Sequence, residues 1–486
     1  MPEYSFKTKP YGHQFEAWER SRNLAEFAFL MEMGTGKSKV LLDDAADLFE
    51  RGIIDGLVIV APKSVCRTWV AEQLPTHLPE RVSERSRIAL WRPSPRRDDA
   101  EALELITKPA EGCLDILSVN IDAFSSKKGY KYVESFLKKH RGMLAIDEST
   151  TIKNRSAART KALVKLGKLA TVRRILTGSP VTESPLDLWS QVEFLGSHLN
   201  SGMSFYGFRN RYAVLEKRYV AGGASFDAVV GYQRLGELQE RMKSFSHRVL
   251  VQDCLDLPEK IYTKRLVELT KRQRAAYDEL RDKAILTLSQ TSVVTAPVVL
   301  TELLRLRQLV CNYVADDLGV LQTVDPDEDP RLEALLEVLG ESPGKALVWA
   351  TFVPVIRRLV DEINDAVGKD SAAAFYGDVS ADKRQALVTR FQDPSDPLRY
   401  LVMQPRTGGY GLTLVEGTTA VYYDNDWSLE VRQQSEARIH RVGQTRAVRY
   451  VDLVAVDTVD EKILDALRGK SDVSRQVTGD AWKQWI

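Results

Sequence analysis

Short apolar runs rich in Val, Ile and Leu recur through the first part of the chain, each giving way to a polar or glycine-bearing stretch. "LVIVAP" (57–62), "DILSVN" (115–120), "MLAIDE" (143–148) and "RRILTGSP" (173–180) read as buried strands running into loops. Between them lie stretches with helical spacing, such as "KVLLDDAADLFERG" (39–52), where Gly52 supplies a C-terminal stop. Strands alternating with helices predict a parallel α/β sheet. The middle, roughly 196–330, reads as mostly helical and charged, with a break at Gly222 and Gly223 and a loop at "DEDP" (327–330). Alternation then resumes with "KALVWAT" (345–351), "RYLVMQ" (399–404), "AVYYDND" (420–426) and "RYVDLVAV" (449–456). The pattern predicts two α/β domains with helical material inserted between and within them. No internal repeat or low-complexity tract interrupts it.

Composition narrows this only a little. With 486 residues the chain exceeds one ordinary core. Hydrophobic residues at 44% and charged residues at 28% are those of an ordinary soluble protein. A net charge of +1 gives no global basic field, so any nucleic-acid binding must come from a local patch. Cys66, Cys113, Cys254 and Cys311 are far apart and form no C-x-x-C pair, which argues against a zinc module and suits a reducing cytoplasm. The first residues, "MPEYSFKTKP", lack the apolar core of a signal peptide, and no apolar run approaches the ~18 residues of a membrane span.

Chemistry enters with "AEFAFLMEMGTGKSKVLLDDA", which has the order strand, glycine turn, helix. Backbone N–H groups at a helix N-terminus can surround phosphate oxygens. Lys37 would then reach the β and γ phosphates, and Ser38 would hold Mg²⁺. The general pattern G-x-x-x-x-G-K-[ST] wants glycine where Met31 stands, so a second element is needed. "MLAIDEST" supplies it. Its strand carries Asp147 and Glu148 to the C-terminal end, where ligands bind in such sheets. Asp147 would bind Mg²⁺ and Glu148 would orient or deprotonate the attacking water.

The order of segments resembles the SNF2-type (Swi2/Snf2) ATPases of helicase superfamily 2. Their loop reads like D-E-M-G-x-G-K-[ST], so a non-glycine at Met31 is the family's habit. The resemblance implies an ATP site made of Met33, Gly34, Thr35, Gly36, Lys37 and Ser38, with Gln14 of "YGHQ" reading adenine. "VIVAPKSVCRTWVAE" (58–72) looks like the next motif, which touches a nucleic-acid backbone. "DEST" stands where the family often has D-E-A-H or D-E-S-H, with Thr150 replacing the histidine. "LTGSPVTESPLDLWSQVEFL" (176–195) is similar to the L-T-G-[ST]-P segment. In the second half, "LLRLRQLVCN" (303–312) looks like L-R-Q-x-C-N, and "KALVWATFVPVIRRL" (345–359) resembles motif IV. "PRTGGYGLTL" (405–414) resembles R-A-G-G-x-G-[LI]-N-L, with Thr413 for asparagine, and adds Gly411 to the implied nucleotide site. "QQSEARIHRVGQTR" (433–446) is close to Q-A-x-D-R-x-H-R-x-G-Q, with Ala437 for an acidic residue, and adds Gln434.

Arg438 and Arg441 in that last motif lie three apart, so on a helix they share one face. Their planar donor forks suit phosphate. Placed on the second domain they would act as arginine fingers, typically worth ~10³–10⁵ in rate, and make hydrolysis report domain closure. A nucleic acid would lie across both sheets on loops after strands, at Lys63, Ser64, Asn120, Thr351, Thr407 and Gly408. Hydroxyls and backbone amides there position phosphates without reading sequence. "KNRSAARTKALVKLGKLATVRR" (153–174) is strongly basic, and Lys153, Arg155, Arg159 and Lys161 either add a phosphate stripe or form a solvated helix face.

The expected architecture is α/β, two RecA-like parallel-sheet lobes with helical insertions. Lobe 1 covers 1–262 with an insertion at about 196–246. Lobe 2 covers 263–470 with one at about 272–325, and a tail covers 471–486. The expected activity is ATP-dependent translocation on double-stranded DNA, acting as a monomer, with DNA-bound proteins as further partners and no membrane. A strand-separating DNA or RNA helicase and an ATP-regulated adaptor are the alternatives. The intact set Lys37, Asp147, Glu148, Arg438 and Arg441 speaks against the adaptor. The chain is short for the family and carries no bromodomain, chromodomain, zinc finger or RING-like cysteine set. A cytoplasmic bacterial or phage protein of DNA repair, replication or recombination is therefore expected over a nucleosome remodeller.

Overall fold

The computed structural model describes residues 4–63, 65–219, 225–254, 256–290, 296–315, 321–408 and 412–478. The chain divides into two units, one built mainly from residues up to Asp256 and the other mainly from Leu257–Ser471. Each is organised by one parallel sheet.

The first sheet has strands β1 (Glu26–Met31), β2 (Gly56–Ala61), β3 (Ser86–Leu90), β4 (Leu114–Asn120), β5 (Gly142–Asp147), β6 (Val172–Leu176) and β7 (Ser246–Val249). Their order is β3-β4-β2-β5-β6-β1-β7, and every pairing is parallel. The apolar runs are continuous because both faces are covered. Along β1, Ala28 and Leu30 enter one apolar cluster while Phe27, Phe29 and Met31 enter the other. In β2, Val58 and Val60 face the first cluster while Leu57, Ile59 and Ala61 face the second.

The second sheet has β8 (Lys260–Val267), β9 (Lys345–Trp349), β10 (Ala372–Phe375), β11 (Tyr400–Met403), β12 (Gly417–Tyr422) and β13 (Val448–Ala455). Its order is β8-β13-β12-β9-β11-β10, again all parallel. The same two-sided burial holds: Val348 and Val402 lie in one cluster, Leu347, Trp349, Leu401 and Met403 in the other.

The α/β, two-sheet architecture is the expected one, and each apolar run quoted above overlaps a strand, although those of 173–180 and 420–426 end four residues before the quoted limit, at Leu176 and Tyr422. Two departures have physical causes. The strand β8, "KIYTKRLV", is charged and largely exposed, as an edge strand is. It starts at Lys260, opposite Val448, so the lobe boundary expected at 262 falls inside it. The stretch 196–246, read as mostly helical, holds the helices Phe205–Tyr212 and Leu235–Lys243. It also holds a two-stranded ribbon, Ala213–Tyr219 with Ser225–Tyr232. That ribbon keeps Tyr219, Phe226, Val229 and Val230 exposed, so no buried face imposed a legible period on the sequence. The helices Lys271–Gln290 and Ala296–Val310 lie in the stretch where an insertion was expected, at about 272–325. The helix Val459–Thr478 runs through residue 471, where the tail was expected to begin.

Candidate nucleotide site

The helix Lys37–Glu50 begins directly after the glycine turn. Gly34 and Gly36 have φ of 86° and 88°, a region open to glycine and strained for other residues. The turn is clamped from outside. Thr35 donates its hydroxyl to the Glu32 carbonyl at 2.7 Å, and the Thr35 carbonyl accepts from Gln14 Nε2 at 3.0 Å. His13 Nε2 lies 2.9 Å from the same carbonyl, and Tyr11 N donates to Gln14 Oε1 at 3.1 Å. A Cβ on Gly36 would sit 2.2 Å from Gln14 Nε2. The glutamine expected to read adenine therefore also holds the loop.

Segments distant in sequence fix the rest of the loop. Gly178 of "LTGSP" is pressed against it, since a Cβ there would meet Glu32 Cα and Met33 N, each at 3.3 Å. Arg248 donates to the carbonyls of Leu30 at 3.2 Å and Gly178 at 2.8 Å.

At the end of β5, Asp147 Oδ2 accepts from Trp69 Nε1 at 2.9 Å, and Oδ1 accepts from Glu148 N at 3.1 Å. Burial raises the Asp147 carboxyl above its ordinary range, while the charge of Lys37 and the Trp69 bond pull the other way. A buried carboxylate in that state gains from a cation. Glu148 has φ of 52° and ψ of 63°, a left-handed conformation that a glutamate adopts only under constraint. Ser149 donates to Gln191 Oε1 at 2.7 Å, and Gln191 Nε2 donates to the Pro180 carbonyl at 2.8 Å. Thus one buried glutamine joins the acidic turn to "LTGSP". The sequence reading quoted Trp69 and Gln191 inside motifs but gave neither a role. No local signal pairs Trp69 with Asp147, because the two lie 78 positions apart in the chain.

Among the described residues no group of three or more His, Cys, Asp or Glu could hold a metal by itself. Mg²⁺ does not need one, because it binds through one or two protein oxygens plus waters and phosphates. The buried Asp147 carboxylate and the Ser38 hydroxyl, at the first turn of the helix, fit that chemistry.

In the second unit, Arg438 and Arg441 do not share a helix face as expected. The helix Leu429–Glu436 has ended, and both arginines lie in the turns beyond it. They converge by another route: Arg438 Nη1 and Arg441 Nη1 donate to the same Leu412 carbonyl, at 3.1 and 2.9 Å. Gln434 caps this arrangement by accepting Arg438 Nε on its carbonyl at 2.8 Å. Burial lowers the Arg441 guanidinium from its ordinary value, and no carboxylate forms an ion pair with it among the described residues.

Thr351 follows β9, Thr407 and Gly408 follow β11, and Gln404 brings Thr351 and Thr407 together. Its Nε2 donates to the Thr351 carbonyl at 3.2 Å, and its Oε1 accepts from Thr407 Oγ1 at 3.0 Å. The Thr351 hydroxyl also accepts from Arg307 at 3.0 Å, and Arg307 pairs with buried Asp424 at 2.9 Å. The structure thus gives Arg307, which the sequence reading left without a role, the task of holding a strand-end loop. In the first unit, Lys63 is exposed just past β2, whereas Asn120 spends its Oδ1 on Asp122 N at 2.9 Å. Ser64 and Gly411 lie outside the described residues. The basic stretch is partly engaged: Lys153 donates to Thr182 at 2.8 Å, Arg155 lies over the Phe205 ring at 4.2 Å, and Arg159 lies 3.5 Å from Asp122. Lys161 is exposed.

Residues 18–314 match the SNF2-related domain, and residues 330–443 match the helicase conserved C-terminal domain. The chain belongs to the SNF2-related family. Relatives in the family include an "Uncharacterized ATP-dependent helicase" of Mycoplasma pneumoniae, 25% identical over 481 residues, covering 97% of this chain and 42% of the relative. The "Probable ATP-dependent DNA helicase CHR12" of Arabidopsis thaliana is 28% identical over 461 residues, covering 92% of this chain and 39% of the relative. The "Putative ATP-dependent helicase/translocase YwqA" of Bacillus subtilis is 27% identical over 354 residues, covering 71% and 36%. The chain therefore spans about two-fifths of the length of these SNF2-related proteins. A solved structure, "Sulfolobus solfataricus SWI2/SNF2 ATPase core in complex with dsDNA", is similar with a TM-score of 0.43 and 22% identity, covering 99% of this chain and 96% of that one. No described helix is long and apolar enough to cross a membrane.

Proposed function

We propose that this SNF2-related chain is a nucleic-acid-stimulated ATPase that moves along double-stranded DNA without separating its strands. The observation that carries the proposal is the pairing of a left-handed glycine loop at a helix N-terminus with a buried carboxylate at the end of β5. Lys37, Ser38 and the backbone of residues 33–36 take the phosphates of ATP. Ser38 and Asp147 would hold Mg²⁺, which would supply neutralisation of the phosphate charge. Glu148, held in its left-handed turn, orients the attacking water and takes its proton. Arg438 and Arg441 complete the charge at the γ-phosphate from the second unit, so turnover depends on closure. Lys63 and the loops at Thr351, Thr407 and Gly408 carry phosphate contacts that position duplex DNA without reading it. DNA-bound proteins are the further partners.

The exposed ribbon favours a second reading. Tyr219 and Phe226, both more than half exposed, are aromatic side chains on which the bases of a separated strand can stack, so the ribbon would act as the wedge of a strand-separating helicase. One experiment separates the two. ATP turnover is measured with no nucleic acid, single strands, duplex, forks and RNA. Displacement of a third strand from a triplex is then compared with opening of a partial duplex. Duplex-stimulated turnover with triplex displacement is expected. Opening of the partial duplex without triplex displacement would refute translocation and support the wedge. Turnover that no nucleic acid stimulates would refute both.

A further inference from the structure

A cavity of about 280 Å³ lies in the first unit, and none of residues 33–38 lines it. It is walled by the end of the helix Gly12–Ser21, the helix Leu235–Lys243, β7, and Pro180 just past β6. Its polar side is formed by Arg20, Lys243, His247 and Arg248, and no aspartate or glutamate lines it. Its apolar side is Leu30, Leu188 and Met242. We propose that this cavity binds a small organic anion with an apolar body and that its occupancy acts on the phosphate loop.

The donor inventory sets the ligand's charge. Arg20 Nη1 lies 3.0 Å from His247 Nδ1. A guanidinium only donates, so Nδ1 accepts and the ring carries its proton on Nε2, another donor. Burial holds His247 below its ordinary value, which keeps this neutral form. Carboxylates occur only outside the lining. Glu240 bonds Lys243 at 2.5 Å where both are exposed, a pairing worth little in water. Glu16 lies 3.8 Å from His247, and Glu32 lies 3.7 Å from Arg248. Inside are three cations, an imidazole N–H and the Gln239 amide. Such a pocket rejects cations and suits carboxylate or phosphate. The volume, just below the roughly 300–1,000 Å³ usual for ligand sites, fits one ring bearing one anionic group.

The wiring sets the consequence. Arg20 ends the helix whose start carries His13 and Gln14, and both of these meet the Thr35 carbonyl in the phosphate loop. Arg248 holds Leu30, Gly178 and Glu32, the residues that flank the loop's entry. An anion that recruits either arginine therefore competes with contacts that shape the ATP site. The binding half of the proposal stands on the cavity alone. The regulatory half rests on the ATPase reading.

The test uses the full chain carrying Lys37→Ala, so that the phosphate loop does not capture the probes. Phenyl phosphate, benzoate and inorganic phosphate are titrated by calorimetry. One ring-bearing probe should bind at a single site at least about tenfold more tightly than inorganic phosphate, the two outcomes distinguishing a phosphoester ligand from a carboxylate. Lys243→Glu, at an exposed side chain, should weaken binding about tenfold, and Gln239→Trp should block it by filling the cavity. Lys138→Glu, an exposed lysine elsewhere, should change nothing. No binding of either ring-bearing probe, or equal weakening by Lys138→Glu, overturns the site. With Lys37 restored, the bound probe should shift the KM for ATP at least twofold in the wild type and not in Gln239→Trp. An unchanged KM with binding intact overturns only the regulatory half, and absent turnover without probe would fault the ATPase reading instead.

Discussion

Gly36→Ala tests how the phosphate loop is held. The backbone there has φ of 88°, and a Cβ would lie 2.2 Å from Gln14 Nε2. Holding an alanine in the left-handed region costs roughly 1–2 kcal/mol. The overlap can be relieved only by moving Gln14 off the Thr35 carbonyl, now 3.0 Å away, which gives up a buried hydrogen bond of about 1 kcal/mol. The expected loss is ~2–3 kcal/mol, divided between urea unfolding and ADP affinity, with each ~1.4 kcal/mol that falls on the bound loop weakening ADP about tenfold. The Gln14→Ala background isolates the second part. There Gly36→Ala should cost only the backbone strain, so a double-mutant cycle should return a coupling of about 1 kcal/mol. Gly12→Ala, where an added Cβ meets nothing within 4 Å, is the control. Equal costs in both backgrounds would show that Gln14 does not press on the loop, and no cost in either would refute the left-handed turn.

Other substitutions probe the remaining parts. Glu148→Gln should leave ATP affinity nearly intact and slow single-turnover hydrolysis by ~10²-fold or more, and wild-type rates would remove Glu148 as the base. Arg441→Lys keeps the charge but loses the fork, so turnover should fall by at least ~10²-fold while nucleotide-free DNA affinity holds; an equal loss of DNA affinity would place Arg441 on the DNA face. Arg174→Ala strands Asp44, its fully buried partner at 2.8 Å, and should cost about 3–5 kcal/mol in urea unfolding. Asp115 is pushed up by burial, but the hydrogen bonds from His140 and Arg87 outweigh this and hold it below the ordinary carboxylate range. Its contribution is therefore complete above the unfolded value of about 4 and is lost as pH falls through the lower folded value. Asp115→Asn should flatten that acid limb of the stability curve, and an unchanged limb would exclude Asp115 as its source.

What the sequence determined by itself was local or periodic. Continuous apolar runs declared strands buried on both faces, Gly34 and Gly36 declared a turn at a helix start, and Asp147–Glu148 declared an acidic strand end. Backbone sterics and burial act at fixed short spacings, so they leave marks within a few residues. The exposed strand β8 and the ribbon strands Ala213–Tyr219 and Ser225–Tyr232 left no such mark, because no buried face imposed a period. Tertiary structure decided the partners. Only the strand order β5-β6-β1-β7 sets "LTGSP", Arg248 and the glycine loop side by side. Only the packing of Trp69 over the end of β5 gives Asp147 its indole donor. Arg438 and Arg441 converge through one carbonyl, Leu412, rather than through the helix their spacing suggested. Such contacts join residues tens to hundreds of positions apart, and chain spacing carries no record of which buried donor will meet which acceptor once the crossovers are made.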